Sequence, residues 1–165
     1  MDFSRLNQGR VIGGAVASAL LIIAVLFLPW YSYDLAGVHK AASSDAWICG
    51  SGETSCTGFE TFPILRWLLL LAALAPAILA YILIRGHKLS YPPGEMTMVA
   101  GFAAFVLIAY NGIIDKPGTG EAEIGLGLDY GYWVALLSSV GIAMVGWMRS
   151  LESGGRKARK APGTV

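Results

Sequence analysis

The chain of 165 residues contains two cysteines, Cys49 and Cys56, which lie seven positions apart. Gly50-Ser51-Gly52 follows the first of them and favours a turn. In an oxidising compartment this spacing is typical of a structural disulfide. The alternative is a redox pair that delivers electrons to a membrane quinone, but such enzymes need a second dithiol for thiol exchange. The chain has no second pair, so the spacing predicts a structural bridge.

Four further residues are candidates for an interaction or polar site. The chain has four long apolar runs, at residues 11–30, 64–84, 96–114 and 130–148. Arg66 is the only ionisable side chain inside them, and it either snorkels to the membrane surface or binds an anion such as a lipid headgroup. An acidic partner for it would come from Glu60, Asp115 or Asp129. Asn111, near the end of the third apolar run, can form hydrogen bonds between helices. Trp47, beside the first cysteine, and Asp129, before the last run, complete the set.

Other chemistry is not indicated. His39 and His87 fall in different connections, and the acids after residue 114 lack the ligand spacing of a calcium loop. The sequence contains no phosphate-binding loop, no Ser/His/Asp arrangement and no zinc motif on a helix. We therefore expect no catalytic residue, no metal site and no cofactor.

Four apolar runs of about 20 residues must position these groups, and each is long enough to cross a hydrocarbon core of about 30 Å as a helix. They cover residues 11–30, 64–84, 96–114 and 130–148. The chain is 55% apolar and only 14% charged, whereas soluble domains average about 25% charged residues. The pattern predicts an all-α membrane protein, with a four-transmembrane-helix bundle in residues 1–150.

Charges alternate between the connections. Lys and Arg concentrate before the first run, between the second and third, and after the fourth, while eight acids lie in the other two connections. The positive-inside rule then predicts a multi-pass protein of the cell (plasma) membrane with both termini in the cytoplasm. The basic segment 151–165 is expected to be a disordered cytoplasmic tail that is attracted to anionic lipid. No nucleic-acid partner is expected.

The first outer connection, residues 31–63, carries both cysteines. Its aromatic and apolar alternation predicts short strands at Trp30–Leu35, Ala46–Cys49 and Cys56–Phe59. We therefore expect a small extracellular β-like loop between helices 1 and 2, pinned by a Cys49–Cys56 disulfide.

Small residues at four-residue spacing predict close contacts between helices. These are Gly13 with Ala17, Gly14 with Ser18, Ala72 with Pro76, Ala100 with Ala104, and Gly127 with Gly131 and Ala135. Pro76 also predicts a bend in the second helix, because it removes a backbone hydrogen bond.

Several segments resemble known proteins. The exit Leu28-Pro29-Trp30-Tyr31-Ser32, the pair Ala46-Trp47 and the entry Gly125–Trp133 look like small four-span integral membrane proteins of actinobacterial genomes, which are largely without assigned function. The layout is also similar to claudin-like proteins, which have a tryptophan followed by two cysteines in a long first outer loop, here Trp47, Cys49 and Cys56. The resemblance implies a four-span topology and no mechanism.

The favoured function is that of a non-enzymatic integral membrane protein, an accessory, structural or interaction subunit. Its expected partners are membrane lipids and either another membrane protein or a second copy, bound through the outer loop and the helix faces. Two alternatives stay open. One is a small oligomeric transporter or channel with Arg66 and Pro76 in its pathway, and the other is a thiol–quinone oxidoreductase.

Overall fold

The computed structural model describes residues 8–34, 49, 53–84, 93–117 and 126–157. Their order is α1 (Gln8–Leu26), β1 (Pro29–Tyr33), β2 (Ser55–Thr57), a single turn α2 (Gly58–Thr61), α3 (Leu65–Ile84), α4 (Pro93–Ala109), a π-helical turn (Tyr110–Ile114), β3 (Leu126–Leu128) and α5 (Tyr130–Lys157). Trp47 and most of the strand expected at Ala46–Cys49 lie outside the described residues.

Four apolar helices dominate the described part of the chain. Two helices, Gly94–Ile114 and Tyr130–Leu151, are long and apolar enough to cross a membrane, with mean hydropathies of 1.9 and 1.5. Shorter apolar stretches lie in the other two, at Ile12–Leu26 and Leu65–Leu79. In the two long helices only 28% of the most apolar 18 residues are buried inside the protein, so most of their apolar surface points outward.

Two helix ends differ from the predicted run boundaries. The first helix ends at Leu26, before the predicted limit at residue 30, because Pro29 has no backbone N–H to continue it and begins β1 instead. The last helix continues to Lys157, so the boundary expected at residue 151 lies inside a helix. Extending an existing helix costs little once it is nucleated, so a change of composition alone does not end it.

The helices form a ring in which α1 contacts α3 and α5, and α4 contacts α5 and α3. The contact between α4 and α5 is the closest in the ring, because glycines let the two backbones approach each other. A Cβ added at Gly101 would collide with the backbone of Ala143, and one added at Gly146 with the backbone of Met98. Neither glycine was among the predicted contact residues.

The predicted small-residue contacts have mixed outcomes. Gly13 and Gly14 of α1 do face α5, with Val145 at 3.6 and 3.5 Å from the Cβ position of each. Gly127, by contrast, lies in strand β3, so the helix face expected to begin there was wrong. Pro76 is buried within a continuous α3.

A three-stranded antiparallel sheet covers one end of the helices, with strand order β2-β1-β3. The central strand pairs Tyr31 with Cys56 on one side and with Leu128 on the other. The small sheet with its disulfide was expected, but one of its described strands, β3, comes from the connection before α5, where no strand was predicted. The strand expected at Cys56–Phe59 also stops at Thr57, because Thr57 and Glu60 form a capping box that starts α2.

The backbone contact between α4 and α5 makes a matched pair of glycine substitutions informative. Gly146→Ala places a methyl group against the Met98 backbone, and we expect it to lower the free energy of unfolding by about 1–3 kcal/mol. Gly13→Ala meets only ordinary contact distances, and because alanine is the better helix former it should be neutral or stabilising by up to about 1 kcal/mol. Denaturant unfolding in detergent micelles, followed by tryptophan fluorescence, measures both. Equal effects of the two substitutions would contradict the packing described here.

Candidate functional site

The sheet end of the bundle carries most of the polar and aromatic structure described. We call the unit formed by residues 29–34, 49, 53–61 and 126–128, which contains β1, β2, α2 and β3, the sheet platform. It contains the disulfide, and both chain connections contribute to it. Several of its side chains are exposed, among them Asp34, Glu53 and Thr54. The platform is therefore the largest structured surface in the described residues that does not belong to the four apolar helices.

Trp30 anchors the platform to the helices. Its side chain is fully buried, and its indole N–H donates a hydrogen bond of 2.7 Å to the Ala24 carbonyl. That carbonyl lies in the last turn of α1, where main-chain acceptors have no partner within the helix. The ring also meets Phe62 and Tyr132 edge-on, with centroids 6.3 and 6.0 Å apart. One side chain thus caps a helix and packs against two further segments.

The glycine that begins α2 is required by the same tryptophan. A Cβ at Gly58 would lie 2.6 Å from the indole ring, which is closer than real Cβ contacts. The glycine therefore lets the backbone of α2 lie directly on Trp30. The Asp129 backbone N–H adds a link from the other side, because it donates to the Trp30 carbonyl at 2.8 Å.

Tyr31 connects the platform to the π-helical turn. It is fully buried, and its hydroxyl donates to the Asn111 carbonyl at 3.0 Å. The Asn111 side chain turns back and donates from Nδ2 to the Leu107 carbonyl at 2.8 Å. A π turn shifts the backbone bonding by one residue, and here the Asp115 N–H bonds to the Tyr110 carbonyl. The Tyr31 hydroxyl thus bonds to a carbonyl within this turn, and the Asn111 side-chain amide bonds to a carbonyl just before it.

Tyr132 fills the space between the π turn and α5. A Cβ at Gly112 would collide with its ring, so the turn accepts this tyrosine only because residue 112 is glycine. The Tyr132 hydroxyl has no hydrogen-bond partner among the described residues. The sequence analysis did not select Tyr31, Gly112 or Tyr132. The available signal was the Pro29-Trp30-Tyr31 cluster placed directly after a helix end.

The disulfide is formed, as predicted. Cys49 and Cys56 are bonded with their Cα atoms 5.0 Å apart, and the side chains are 5% and 2% exposed. The Thr61 hydroxyl contacts the Cys56 sulfur at 3.3 Å. A loop this short stabilises the fold by about 2–3 kcal/mol in the chain-entropy account. Thiol exchange needs an accessible sulfur, so this burial favours the structural interpretation of the pair.

Arg66 lies in the first turn of α3 and is held by neutral partners. Its guanidinium donates to the Phe59 carbonyl at 3.1 Å. It also lies over the rings of Phe59 and Trp67, at 4.4 and 5.6 Å from their centroids. None of the acids expected as partners forms an ion pair with it among the described residues, and Glu60 instead accepts hydrogen bonds from Thr57. Cation–π contact and a carbonyl therefore replace the predicted salt bridge.

Asp129 acts at the start of α5. Its Oδ1 atom accepts a hydrogen bond of 2.7 Å from the Tyr130 N–H, and a carboxylate at this end of a helix is favourable to the helix dipole. The side chains of Asp129 and Asn111 thus both form hydrogen bonds to backbone groups. Arg66, Asn111 and Asp129 lie at the same end of the bundle, but they do not converge on one ligand site. Trp47 lies outside the described residues.

A shallow depression lies where β1 meets β3. It has a volume of about 330 Å³ and is lined by Ser32, Tyr33, Asp34, Leu126 and Gly127. Its lining mixes hydroxyl, carboxylate and backbone groups with one leucine. Among the described residues no three His, Cys, Asp or Glu side chains are grouped closely enough to hold a metal ion.

Comparison with protein-family models, curated proteins and solved structures finds no match for the chain.

The buried hydrogen bond of Tyr31 generates a prediction with a pH dependence. Tyr31→Phe should lower the free energy of unfolding by about 1 kcal/mol at pH 7, because it removes one buried hydrogen bond to the Asn111 carbonyl. Tyr130→Phe removes an exposed tyrosine hydroxyl and serves as the control, with no loss expected.

Burial, with a smaller effect from nearby Tyr132, raises the pKa of Tyr31 well above its usual value of 10. The folded state then keeps the phenol proton at a pH where the unfolded chain releases it. The contribution of this group to the free energy of unfolding is therefore fully present below pH 10. It falls as the pH rises above 10, by up to about 1.4 kcal/mol per pH unit. Unfolding measured between pH 9 and pH 11.5 should show a shallower decline in Tyr31→Phe than in wild type. Identical declines would contradict this assignment.

Proposed function

We propose that the chain crosses the cell membrane four times, with both termini in the cytoplasm and the sheet platform outside. The outward apolar surface of the two long helices supports this, because a helix in the core of a soluble protein is mostly buried. Large apolar side chains are more than half exposed on each of the four apolar helices, for example Ile12, Leu71, Phe102 and Leu137. Water-soluble surfaces rarely present apolar patches of this extent.

Charge and redox chemistry support the same orientation. Acidic residues predominate at the sheet end, with Asp34, Glu53, Glu60, Asp115 and Asp129 among the described residues. The connection between α3 and α4 and the segment after α5 carry Lys and Arg, as expected of cytoplasmic segments. A disulfide at the sheet end also fits an oxidising exterior.

Labelling with a membrane-impermeant maleimide tests the topology. Glu53→Cys, on the platform, should react in intact cells, whereas Thr164→Cys, in the C-terminal segment, should react only after the membrane is permeabilised. The bonded Cys49 and Cys56 give the unlabelled background in wild type. Labelling of Thr164→Cys in intact cells, or protection of Glu53→Cys, would overturn the orientation.

We further propose that the protein is a non-enzymatic interaction or structural subunit that binds another membrane protein, or a second copy, through the sheet platform. One observation carries this proposal. Both long connections contribute a strand to a single sheet, which is braced by a disulfide and fixed to the helices by Trp30. A pre-organised surface loses little conformational entropy when a partner binds. The resemblance of the sequence to claudin-like and four-span actinobacterial proteins is a further part of this proposal.

Three polar side chains of the described helices favour this function over transport. The hydroxyls of Ser138 and Ser139 bond to carbonyls of their own helix, and Asn111 bonds to Leu107. Groups engaged in this way do not line a continuous polar path. These three side chains therefore give no support to a pore within one copy of the chain.

Site-specific photocrosslinking in native membranes tests the partner proposal. A photoreactive residue at Glu53 or at Gly127 should yield an adduct that contains a second polypeptide, and an adduct of twice the 17.5 kDa chain mass would identify a second copy. The yield should fall several-fold when Cys49→Ser and Cys56→Ser are combined with the probe, because the platform loses its brace. A probe at Thr164 is the control for random collisions.

Recovery of the monomer alone from both platform positions would overturn the proposed function. So would equal adduct yields from the platform positions and Thr164. Equal yields with and without the disulfide would show that the braced sheet is not the binding surface.

A further inference from the structure

The ring of helices is packed least closely between α3 and α4. An apolar groove of about 420 Å³ lies there. It runs from Leu68 and Leu107 near the sheet end to Ile78 and Met96 further along the helices. Its lining residues are all apolar, so a charged or hydrogen-bonding ligand finds no partner along it.

Small side chains create this space. Ala72 and Ala75 of α3 face Ala100, Ala103 and Ala104 of α4 across the groove. Three of these alanines, Ala72, Ala100 and Ala104, belong to the four-residue contact motifs predicted from the sequence, which would let helices approach closely. In the structure the alanines leave an opening that the protein's own side chains do not fill. A gap of this kind loses dispersion contacts unless another molecule occupies it.

The dimensions of the groove limit what that molecule is. Eleven residues separate Leu68 from Leu79 and Met96 from Leu107 along the two walls, which corresponds to a length of about 16 Å. An apolar cavity of about 150 Å³ holds one benzene, so the volume of about 420 Å³ has room for an apolar molecule of roughly 17 carbon atoms. One long acyl chain is of this size. A helix segment about 10 Å in diameter and about 16 Å long occupies about 1,250 Å³, so a partner helix can lie over the groove but does not fit inside it.

Length and position point to a lipid of the outer leaflet. The hydrocarbon core is about 30 Å thick, so one leaflet contributes about 15 Å, close to the length of the groove. Trp67 and Tyr110 lie just beyond the sheet-end limit of the groove, and they are 59% and 48% exposed. Aromatic residues of this kind mark the level of the lipid headgroups. An acyl chain that enters from this level fills the groove.

We propose that the groove between α3 and α4 binds one acyl chain of an outer-leaflet phospholipid. This inference rests on the proposed membrane topology but not on the partner bound by the sheet platform. The lipid would fill the space at the place where the helix ring is packed least closely. The same groove would then be closed to partner side chains while the lipid is bound.

Native mass spectrometry of bound lipid tests the proposal. The protein is reconstituted into vesicles of palmitoyl-oleoyl phosphatidylglycerol and phosphatidylethanolamine doped with palmitic acid, then extracted and washed with mild detergent until loosely held lipid is lost. Wild type should retain one phospholipid per chain. Ala103→Phe, which fills the groove from α4, should retain at least tenfold less.

Ala77→Phe is the matched control, because Ala77 is exposed like Ala103 but does not line the groove. It should retain lipid as wild type does. Ala75→Phe fills the groove from the opposite wall and should repeat the loss, which guards against a folding defect peculiar to one variant. Unfolding transitions of all three variants check that the bundle is intact.

Four outcomes would overturn the proposal. These are a wild type that carries no lipid, equal retention in Ala103→Phe and Ala77→Phe, a mass increase equal to palmitic acid alone, and retention of a polypeptide that Ala103→Phe releases. The maleimide and photocrosslinking results are independent of this measurement. A failure here therefore leaves the topology and the partner proposal standing.

Discussion

The hydrogen bond from the Trp30 indole to the Ala24 carbonyl is the constraint on which the sheet end depends. It forces the chain to turn back immediately after α1, so β1 lies against the helix it has just left. The same indole ring packs against Gly58 at the start of α2 and against Tyr132 of α5. Because these contacts share one side chain, the strands and the helix ends form one mechanical unit.

The helix ring is packed unevenly, and both sides of this asymmetry follow from small residues. Between α4 and α5, glycines bring the two backbones together, as the contacts of Gly101 and Gly146 show. Between α3 and α4, alanines on both walls leave the groove open. Small residues therefore have opposite consequences, according to whether the facing segment offers backbone or another methyl group. Spacing along the sequence does not distinguish the two cases.

This limit explains how far the sequence could predict the structure. The bounds of α3 agree with the apolar run 64–84, and the cysteine spacing predicted the bridge, because both depend on local chemistry. Strand β3 was missed because its three residues carry almost no pattern, and its partner β1 lies about 95 residues earlier. The π-helical turn was missed for a similar reason, since the Tyr31 bond that occupies its Asn111 carbonyl comes from a distant strand. Arg66 was recognised, but its neutral partners depend on the unpredicted turn α2.

The central position of β1 has a consequence for biogenesis. Cys49 and Cys56 are close in sequence, so in the proposed topology the bridge and the β1–β2 pair can form as soon as the first connection has crossed the membrane. Strand β3 becomes available only when synthesis reaches the entry to α5. Bracing half of the sheet beforehand reduces the loop-closure entropy still to be lost at that step. The oxidised hairpin would thus serve as a template on which insertion of the last helix completes the external surface.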